Sequence, residues 1–135
     1  MDIALACDHG AFSHKEALRK HLEEKGYTIH DFGCYSQDSV DYPDTVYPAC
    51  EYVAQHPNSL GIVMCGTGIG ASIVANKVNG IRCALVYDEE IAKITREHNN
   101  SNVLASGGRV VSEEKMIRIA DVWLSTAFSE DARHQ

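Results

Sequence analysis

The chain has 135 residues, 44% of them hydrophobic, a composition typical of one globular domain over 1–135 with an ordinary core. Its formal net charge is -7, from 12 Lys and Arg against 19 Asp and Glu, which argues against a nucleic-acid partner. No apolar run reaches the about 18 residues of a membrane span, and no signal-peptide pattern is present. We therefore expect a cytoplasmic protein with no membrane partner.

Cysteine and histidine spacing bears on metal and redox chemistry. The five cysteines include no C-x-x-C pair, which favours neither a disulfide framework nor a zinc knuckle. None of the seven histidines forms H-x-H or H-E-x-x-H spacing. The sequence therefore predicts no metal site.

Apolar runs separated by turn residues divide the chain into five predicted strands and five predicted helices. The predicted strands cover 3–7, 27–32, 60–64, 81–87 and 103–105. The first helix covers about 11–25 and ends at Gly26, and the others carry apolar residues at helical spacing within 46–53, 71–78, 91–98 and 116–127. This alternation predicts an α/β fold, a three-layer α/β/α sandwich with a five-stranded parallel, Rossmann-like sheet.

The stretch 60–77, LGIVMCGTGIGASIVANK, predicts a buried strand, a glycine turn and a helix. Glycines allow close approach of a ligand to the backbone, and the helix N-terminus favours negative charge there. Cys65 ends the strand, where this field would stabilise a thiolate, so the residues leave open a catalytic thiol or a small buried hydrophobe. Thr67 has two compatible interpretations, a helix cap and a hydrogen-bond donor to a reacting oxygen.

Other polar residues follow the remaining predicted strands. In parallel sheets ligands bind beyond the carboxyl ends of the strands, so Asp8, His9, Asp88 and Arg109 are expected at the same edge as Cys65. Three of them have a simpler interpretation: Asp8-His9 as an Asx turn, and Arg109 as a solvated charge rather than an anion contact.

Two interpretations compete for His98 and for the glycine turn. His98 shares a face with Ile91 in the fourth predicted helix, which is typical of a core or capping histidine, but it also ends that helix beside Asn99, a polar pair where the chain turns. Gly66, Gly68 and Ala71 fit G-x-G-x-x-A with Asp88 further on, the pattern of a dinucleotide-binding turn. That pattern normally follows the first strand, whereas here it follows the third, which weakens a nucleotide-binding regulatory module as the alternative.

Several longer motifs carry a resemblance that covers essentially the whole chain. They are CDHG at 7–10, DYPD at 41–44, CGTGIG at 65–70, ANK at 75–77, GIR at 80–82, EHNNSNVLASGGR at 97–109 and the terminal RHQ. Together they resemble the ribose-5-phosphate isomerase B family, which includes the galactose-6-phosphate isomerase subunits. Cys65 places the chain with the cysteine-type members rather than those that use glutamate.

The resemblance implies an aldose–ketose isomerase that acts on a sugar phosphate through an enediolate, with no metal or cofactor. It implies Cys65 as the base, His98 as the acid that opens the furanose ring, and Thr67 with its glycine loop serving the enediolate oxygen. His9, Arg109 and Arg133 would hold the phosphate, which the residues alone place on the glycine loop. The implied substrate-binding residues are Asp8, His9, Tyr42, Gly66, Thr67, Gly68, Ile69, Gly70, Asn99, Arg109 and Arg133.

The family also implies a homodimer, or a tetramer, with active sites at the subunit interface, where His98 and Arg109 act on substrate held by the neighbouring chain. Relatives usually carry a second arginine shortly after RHQ, whereas this sequence stops at Gln135. We therefore expect either a truncated sequence or a looser phosphate clamp. Ribose 5-phosphate and ribulose 5-phosphate are the expected substrates, with allose or galactose 6-phosphate as the alternative.

Overall fold

A computed structural model of the chain describes residues 1–35 and 41–129. Its strands are β1 (Asp2–Cys7), β2 (Thr28–Asp31), β3 (Leu60–Cys65), β4 (Cys83–Leu85) and β5 (Val103–Gly107). Its helices are α1 (Phe12–Glu24), α2 (Tyr42–Gln55), α3 (Ile69–Asn76), α4 (Glu89–Asn99) and α5 (Glu113–Leu124), with a 3-10 turn (His9–Ala11) before α1. The predicted alternation of strands and helices is confirmed.

All four strand pairings are parallel, and the strand order is β2-β1-β3-β5-β4. The chain passes from β1 outward to β2 and then returns to place β3 on the other side of β1. This reversal is a topological switch point, where open parallel sheets leave a crevice beyond the carboxyl ends of their strands. The order thus makes β1, β3 and β5 neighbours in the centre of the sheet.

Two hydrophobic clusters cover the two faces of the sheet. Along β1, Ile3 and Leu5 are buried in one cluster with α1 and α5, whereas Ala4 and Ala6 are buried in the other with α2 and α3. Successive residues of a strand point to opposite faces, so the apolar run of β1 supplies both cores. The predicted three-layer sandwich is confirmed.

The structure corrects several details of the sequence prediction. The fourth strand is limited to Cys83–Leu85 because it lies at the edge of the sheet and pairs only with β5. The last helix ends at Leu124, so Ala127 lies beyond it and is exposed. None of the helices within the described ranges is long and apolar enough to cross a membrane.

The buried face of α4 also differs from the predicted one. Ile91 is 44% exposed and Ala92 faces the core in its place, beside Thr95, which the predicted face already included. Small side chains on this face let α4 pack closely against α5, which periodicity of large apolar residues does not reveal. His98 is consequently exposed, and its interpretation as a core histidine is wrong.

A buried ion pair joins α1 to the end of β2. Lys15 is fully buried, and its ammonium group donates to a carboxylate oxygen of Asp31 at 2.6 Å and to the carbonyl of Cys34 at 2.5 Å. Burial alone would lower the pKa of Lys15, but the hydrogen bond and charge of Asp31 outweigh it and raise that pKa above its ordinary value. The raised pKa of Lys15 therefore contributes stability that is fully present at neutral pH and is lost as the pH rises through that pKa.

The variant Asp31→Asn leaves this ammonium group without its main counter-charge. We expect a loss of about 2–3 kcal/mol in the free energy of unfolding, less than for an isolated pair because Glu16 lies 3.2 Å from the same nitrogen. Urea unfolding measures the loss. The control Glu23→Gln removes an exposed partner of Arg19 and should cost about 0.5 kcal/mol or less. Equal losses in both variants would contradict the role of burial.

Candidate active site

Three turns meet beyond the carboxyl ends of the central strands. The amide of Asp8, after β1, donates to the carbonyl of Met64 at 3.1 Å. The amide of Gly108, after β5, donates to the carbonyl of Cys65 at 3.0 Å, and that of Arg109 to the carbonyl of Gly66 at 2.9 Å. These bonds continue the sheet pairing past the strands, so the residues after β1, β3 and β5 lie side by side.

The turns approach one another through their backbones. A Cβ atom added to Gly10 would lie 3.2 Å from the nitrogen of Gly66, and one added to Gly108 would lie 2.6 Å from the carbonyl oxygen of Gly10. A Cβ on Gly66 would lie 3.2 Å from a terminal guanidinium nitrogen of Arg109. The side chain of Arg109 therefore covers the start of the glycine loop in its own chain and brings positive charge to it.

Cys65 occupies the centre of this junction as the last residue of β3. Its side chain is buried, with 5% of the residue exposed, and its Sγ accepts the backbone N–H of Gly68 at 3.1 Å. Gly68 is the N-cap of α3 and has a φ of +84°, a left-handed conformation that favours glycine. The loop thus folds back so that a backbone donor points at the thiol, an arrangement that stabilises a negatively charged sulfur.

Thr67 lies at the exposed tip of the glycine loop. Its hydroxyl oxygen accepts the N–H of Ile69, the first residue of α3, at 3.2 Å, although the N-cap position itself belongs to Gly68. A hydroxyl that accepts one hydrogen bond still carries its own proton. The same group can therefore donate to an oxygen bound at the loop, as the second predicted role requires.

Asp8 begins the 3-10 turn that follows β1. Its Oδ1 accepts the N–H of Gly10 at 2.8 Å, so the interpretation as an Asx turn is correct. His9 is the first residue of this turn and is half-buried. The turn itself lies beside the glycine loop, since a Cβ on Gly10 would lie 3.2 Å from the nitrogen of Gly66.

His98 and Asn99 lie away from this junction. His98 and Asn99 end α4, which starts beyond the carboxyl end of β4 and runs back toward the amino ends of the strands. A helix of 11 residues spans roughly 16 Å, so the two residues lie at the opposite edge of the sheet from Cys65. Tyr42 is the first residue of α2, and Arg133 lies outside the described residues.

Asp88 tests the dinucleotide interpretation. Its side chain caps α4 by accepting the N–H of Ile91 at 2.8 Å. This capping explains Asp88 without a nucleotide, since an aspartate at an N-cap satisfies an otherwise unpaired helix donor. Within the described residues, no group of three or more His, Cys, Asp or Glu side chains could hold a metal ion.

Tyr87 is a neighbour of the site that the sequence analysis did not select. Its hydroxyl donates to the carbonyl oxygen of Thr67 at 2.5 Å, across 20 residues of sequence. The only signal in the sequence is its position, a polar aromatic residue just after the apolar run that contains β4. The contact itself depends on how the edge of the sheet packs against the glycine loop.

Gly68→Ala should disrupt this junction. The added Cβ would lie 2.7–2.8 Å from the carbonyl group of Ser106, so it adds a steric clash to a positive φ. A positive φ costs an alanine about 1–2 kcal/mol, and overpacking adds about 1–3 kcal/mol to that loss in the free energy of unfolding. The matched control is Gly26→Ala, with φ +95° and nothing within 4 Å of the added atom, which should lose only the first amount.

Urea unfolding of the two glycine variants measures this difference. The comparison separates backbone strain from contact, because Gly26 and Gly68 share the left-handed conformation and differ in their surroundings. Similar losses in the two variants would mean that the glycine loop has room to move away from β5.

Comparison with known proteins identifies the family. Residues 3–135 match the family model described as Ribose/Galactose Isomerase. The chain is 46% identical over 136 residues to the putative sugar phosphate isomerase YwlF of Bacillus subtilis (strain 168), covering 100% of this chain and 91% of that protein.

Solved structures give the same result. The chain is similar to ribose-5-phosphate isomerase B of Clostridium thermocellum, with a TM-score of 0.95 and 42% identity over 99% of this chain and 90% of that one. It is also similar to ribose-5-phosphate isomerase B of Mycoplasma genitalium with bound ribulose-5-phosphate, with a TM-score of 0.94 and 38% identity over 99% and 89%. The predicted resemblance is confirmed, and with it the prediction of a sugar-phosphate isomerase: the chain belongs to the ribose/galactose isomerase family.

Proposed function

We propose that this protein interconverts ribose 5-phosphate and ribulose 5-phosphate through an enediolate, with Cys65 as the base. The observation that carries the proposal is the Cys65 thiol, which receives the Gly68 N–H at 3.1 Å where three turns meet. The M. genitalium relative, which binds ribulose-5-phosphate, supports the choice of a pentose phosphate. The same proposal gives the protein a place in pentose phosphate metabolism in the cytoplasm.

The reaction moves one proton between neighbouring carbons. A thiolate at Cys65 removes the proton from the second carbon of the open-chain aldose, the electron pair forms the enediolate, and the proton then returns to the first carbon. The hydroxyl proton of the second carbon moves to the oxygen of the first, so that no external oxidant or cofactor is needed. A carbon acid of this kind needs a well-placed base and fixed donors for the developing oxyanion.

The glycine loop supplies such donors. The first N–H groups of a helix have no acceptor within the helix, and in α3 these include the amides of Gly70 and Ala71. Donors of this kind are worth about 3 kcal/mol each in other enzymes. The loop from Gly66 to Gly70, with the Thr67 hydroxyl, is therefore proposed to hold the enediolate oxygens.

Further residues are proposed to contact the phosphate and the hydroxyl groups of the sugar. Arg109 covers the start of the loop, and His9 lies on the neighbouring turn, so both are proposed to contact the phosphate together with Arg133. With a net charge of -7, the protein needs such a local basic cluster to bind an anion. Asp8 and Tyr42 are the proposed contacts to sugar hydroxyls.

We infer that His98 reaches the substrate from a second copy of the chain. Within one chain α4 holds His98 and Asn99 at the edge of the sheet opposite Cys65, whereas ring opening needs an acid at the sugar. Ile69 and Ile73 lie one turn apart on α3 beside the glycine loop and are 50% and 54% exposed, an apolar surface suited to contact with another copy. Arg109 acts on the substrate of its own chain, in contrast to the expectation from the resemblance.

Cys65→Ala should abolish isomerisation of ribose 5-phosphate, because the base is removed, and should leave substrate binding nearly unchanged. The matched control is Cys50→Ala: burial raises the pKa of the Cys50 thiol to about 12, so it stays protonated near neutral pH and cannot act as the base. The measurement is ribulose 5-phosphate formation by metal-stripped protein. Substantial turnover by Cys65→Ala would contradict the proposed base.

The same assay separates the substrates. If the native protein does not convert ribose 5-phosphate, it is tested on allose 6-phosphate and galactose 6-phosphate, which fit the broader family description. Activity on a six-carbon substrate alone would replace the pentose assignment and leave the role of Cys65 intact.

Mixing two inactive variants tests the shared site. Consider a mixed dimer of one Cys65→Ala subunit and one His98→Asn subunit, in which each site combines Cys65 of one subunit with His98 of the other. One site then lacks both groups, and the other keeps its native Cys65 and His98. If subunits exchange freely, half of the dimers are mixed, so about a quarter of the native activity toward ribose 5-phosphate should return. Each variant alone is the control, and if His98 served its own chain, mixing would restore nothing.

A further inference from the structure

The thiol of Cys65 and the hydroxyl of Tyr87 contact opposite ends of one peptide unit. The peptide between Thr67 and Gly68 has its carbonyl oxygen on the Thr67 side and its N–H on the Gly68 side. The carbonyl accepts the Tyr87 hydroxyl at 2.5 Å, and the N–H donates to Cys65 Sγ at 3.1 Å. Tyr87 is thus connected to the proposed base without touching it.

A peptide unit transmits both orientation and polarisation. Because the unit is planar, a rotation that moves the Thr67 carbonyl also turns the Gly68 N–H away from the sulfur. A carbonyl that accepts a hydrogen bond also makes the N–H of the same unit a stronger donor, since chains of hydrogen bonds polarise one another. Both effects favour the charged form of Cys65.

Packing fixes where this peptide lies. A Cβ on Gly107 would lie 2.6 Å from the carbonyl carbon of Thr67, so the end of β5 contacts the peptide backbone directly. The two chain neighbours of Tyr87 are both held in place. The carbonyl oxygen of Val86 accepts the hydroxyl of Ser106 at 2.7 Å, and the side chain of Asp88 caps α4. A donor fixed in this way can set the direction of the Thr67 carbonyl.

We propose that Tyr87 is a positioning residue for the base, acting through the Thr67–Gly68 peptide to aim the Gly68 N–H at the Cys65 sulfur. The proposal rests on the proposed function in that it takes Cys65 as the base. Neither the sequence pattern nor the family description points to Tyr87. The hydrogen bonds from Tyr87 to Thr67 and from Gly68 to Cys65 do. In this role Tyr87 affects the chemical step and leaves the contacts to the substrate unchanged.

Tyr87→Phe removes the hydroxyl and keeps the ring. We expect kcat for ribose 5-phosphate to fall about threefold to tenfold while KM stays within about twofold. We also expect the pH midpoint for alkylation of Cys65 by iodoacetamide, followed by mass spectrometry of the Cys65 peptide, to rise by about half a pH unit. A structural role alone would not move this midpoint.

Tyr52→Phe is the matched control. Its hydroxyl lies 3.1 Å from both a carboxylate oxygen of Asp2 and the ring Nε2 of His30, near the amino end of β1, so the same atom is removed far from the glycine loop. Its kcat and alkylation midpoint should match the native protein. An unchanged midpoint and kcat in Tyr87→Phe, or equal changes in both variants, would overturn the proposal.

The alkylation profile is read without any sugar phosphate, so it tests Tyr87 even if the substrate assignment is wrong. If the native protein converts no ribose 5-phosphate, the proposed function is contradicted. If the native protein is active but Tyr87→Phe leaves kcat and the alkylation midpoint unchanged, only the role of Tyr87 is contradicted. If Tyr87→Phe fails to fold, Tyr87→Met, which also lacks the donor, takes its place with the same expectations.

Discussion

The close backbone contact between three turns is the constraint on which the site depends. The turn after β1, the glycine loop after β3 and the turn after β5 touch at Gly10, Gly66 and Gly108. A Cβ on Gly10 or Gly108 would meet backbone atoms, and one on Gly66 would meet the Arg109 side chain. The contact requires β1, β3 and β5 to be neighbours, and the strand order provides this. Because the turns hold one another, Cys65 can be buried and still lie at the carboxyl edge of the sheet.

The path of α4 imposes a second constraint. A helix that connects two parallel strands runs opposite to them, so its last residues lie at the amino edge of the sheet. His98 therefore cannot share a site with Cys65 in one chain of this fold. If the two act on one substrate, assembly of the subunits is a condition of catalysis in addition to any contribution to stability.

Sequence reasoning worked where local pattern decides structure. The apolar runs and the helix end at Gly26 predicted the alternation of elements, and parallel strands then placed Asp8, Cys65 and Arg109 at one edge. It failed where packing between distant residues decides. The buried face of α4 depends on close contact with α5, and the hydrogen bond from Tyr87 to Thr67 joins residues 20 positions apart. Neither contact produces a periodic pattern in the sequence.

The ends of the sheet have a consequence for how copies of this chain meet. The outer strands β2 and β4 contain only four and three residues, so little unpaired backbone is available for another strand to pair with. Short edge strands protect natural sheets from edge-to-edge aggregation. In the proposed dimer, contact would therefore be made by side chains of helices rather than by a continuous sheet, and the exposed Ile69 and Ile73 of α3 adjoin the glycine loop.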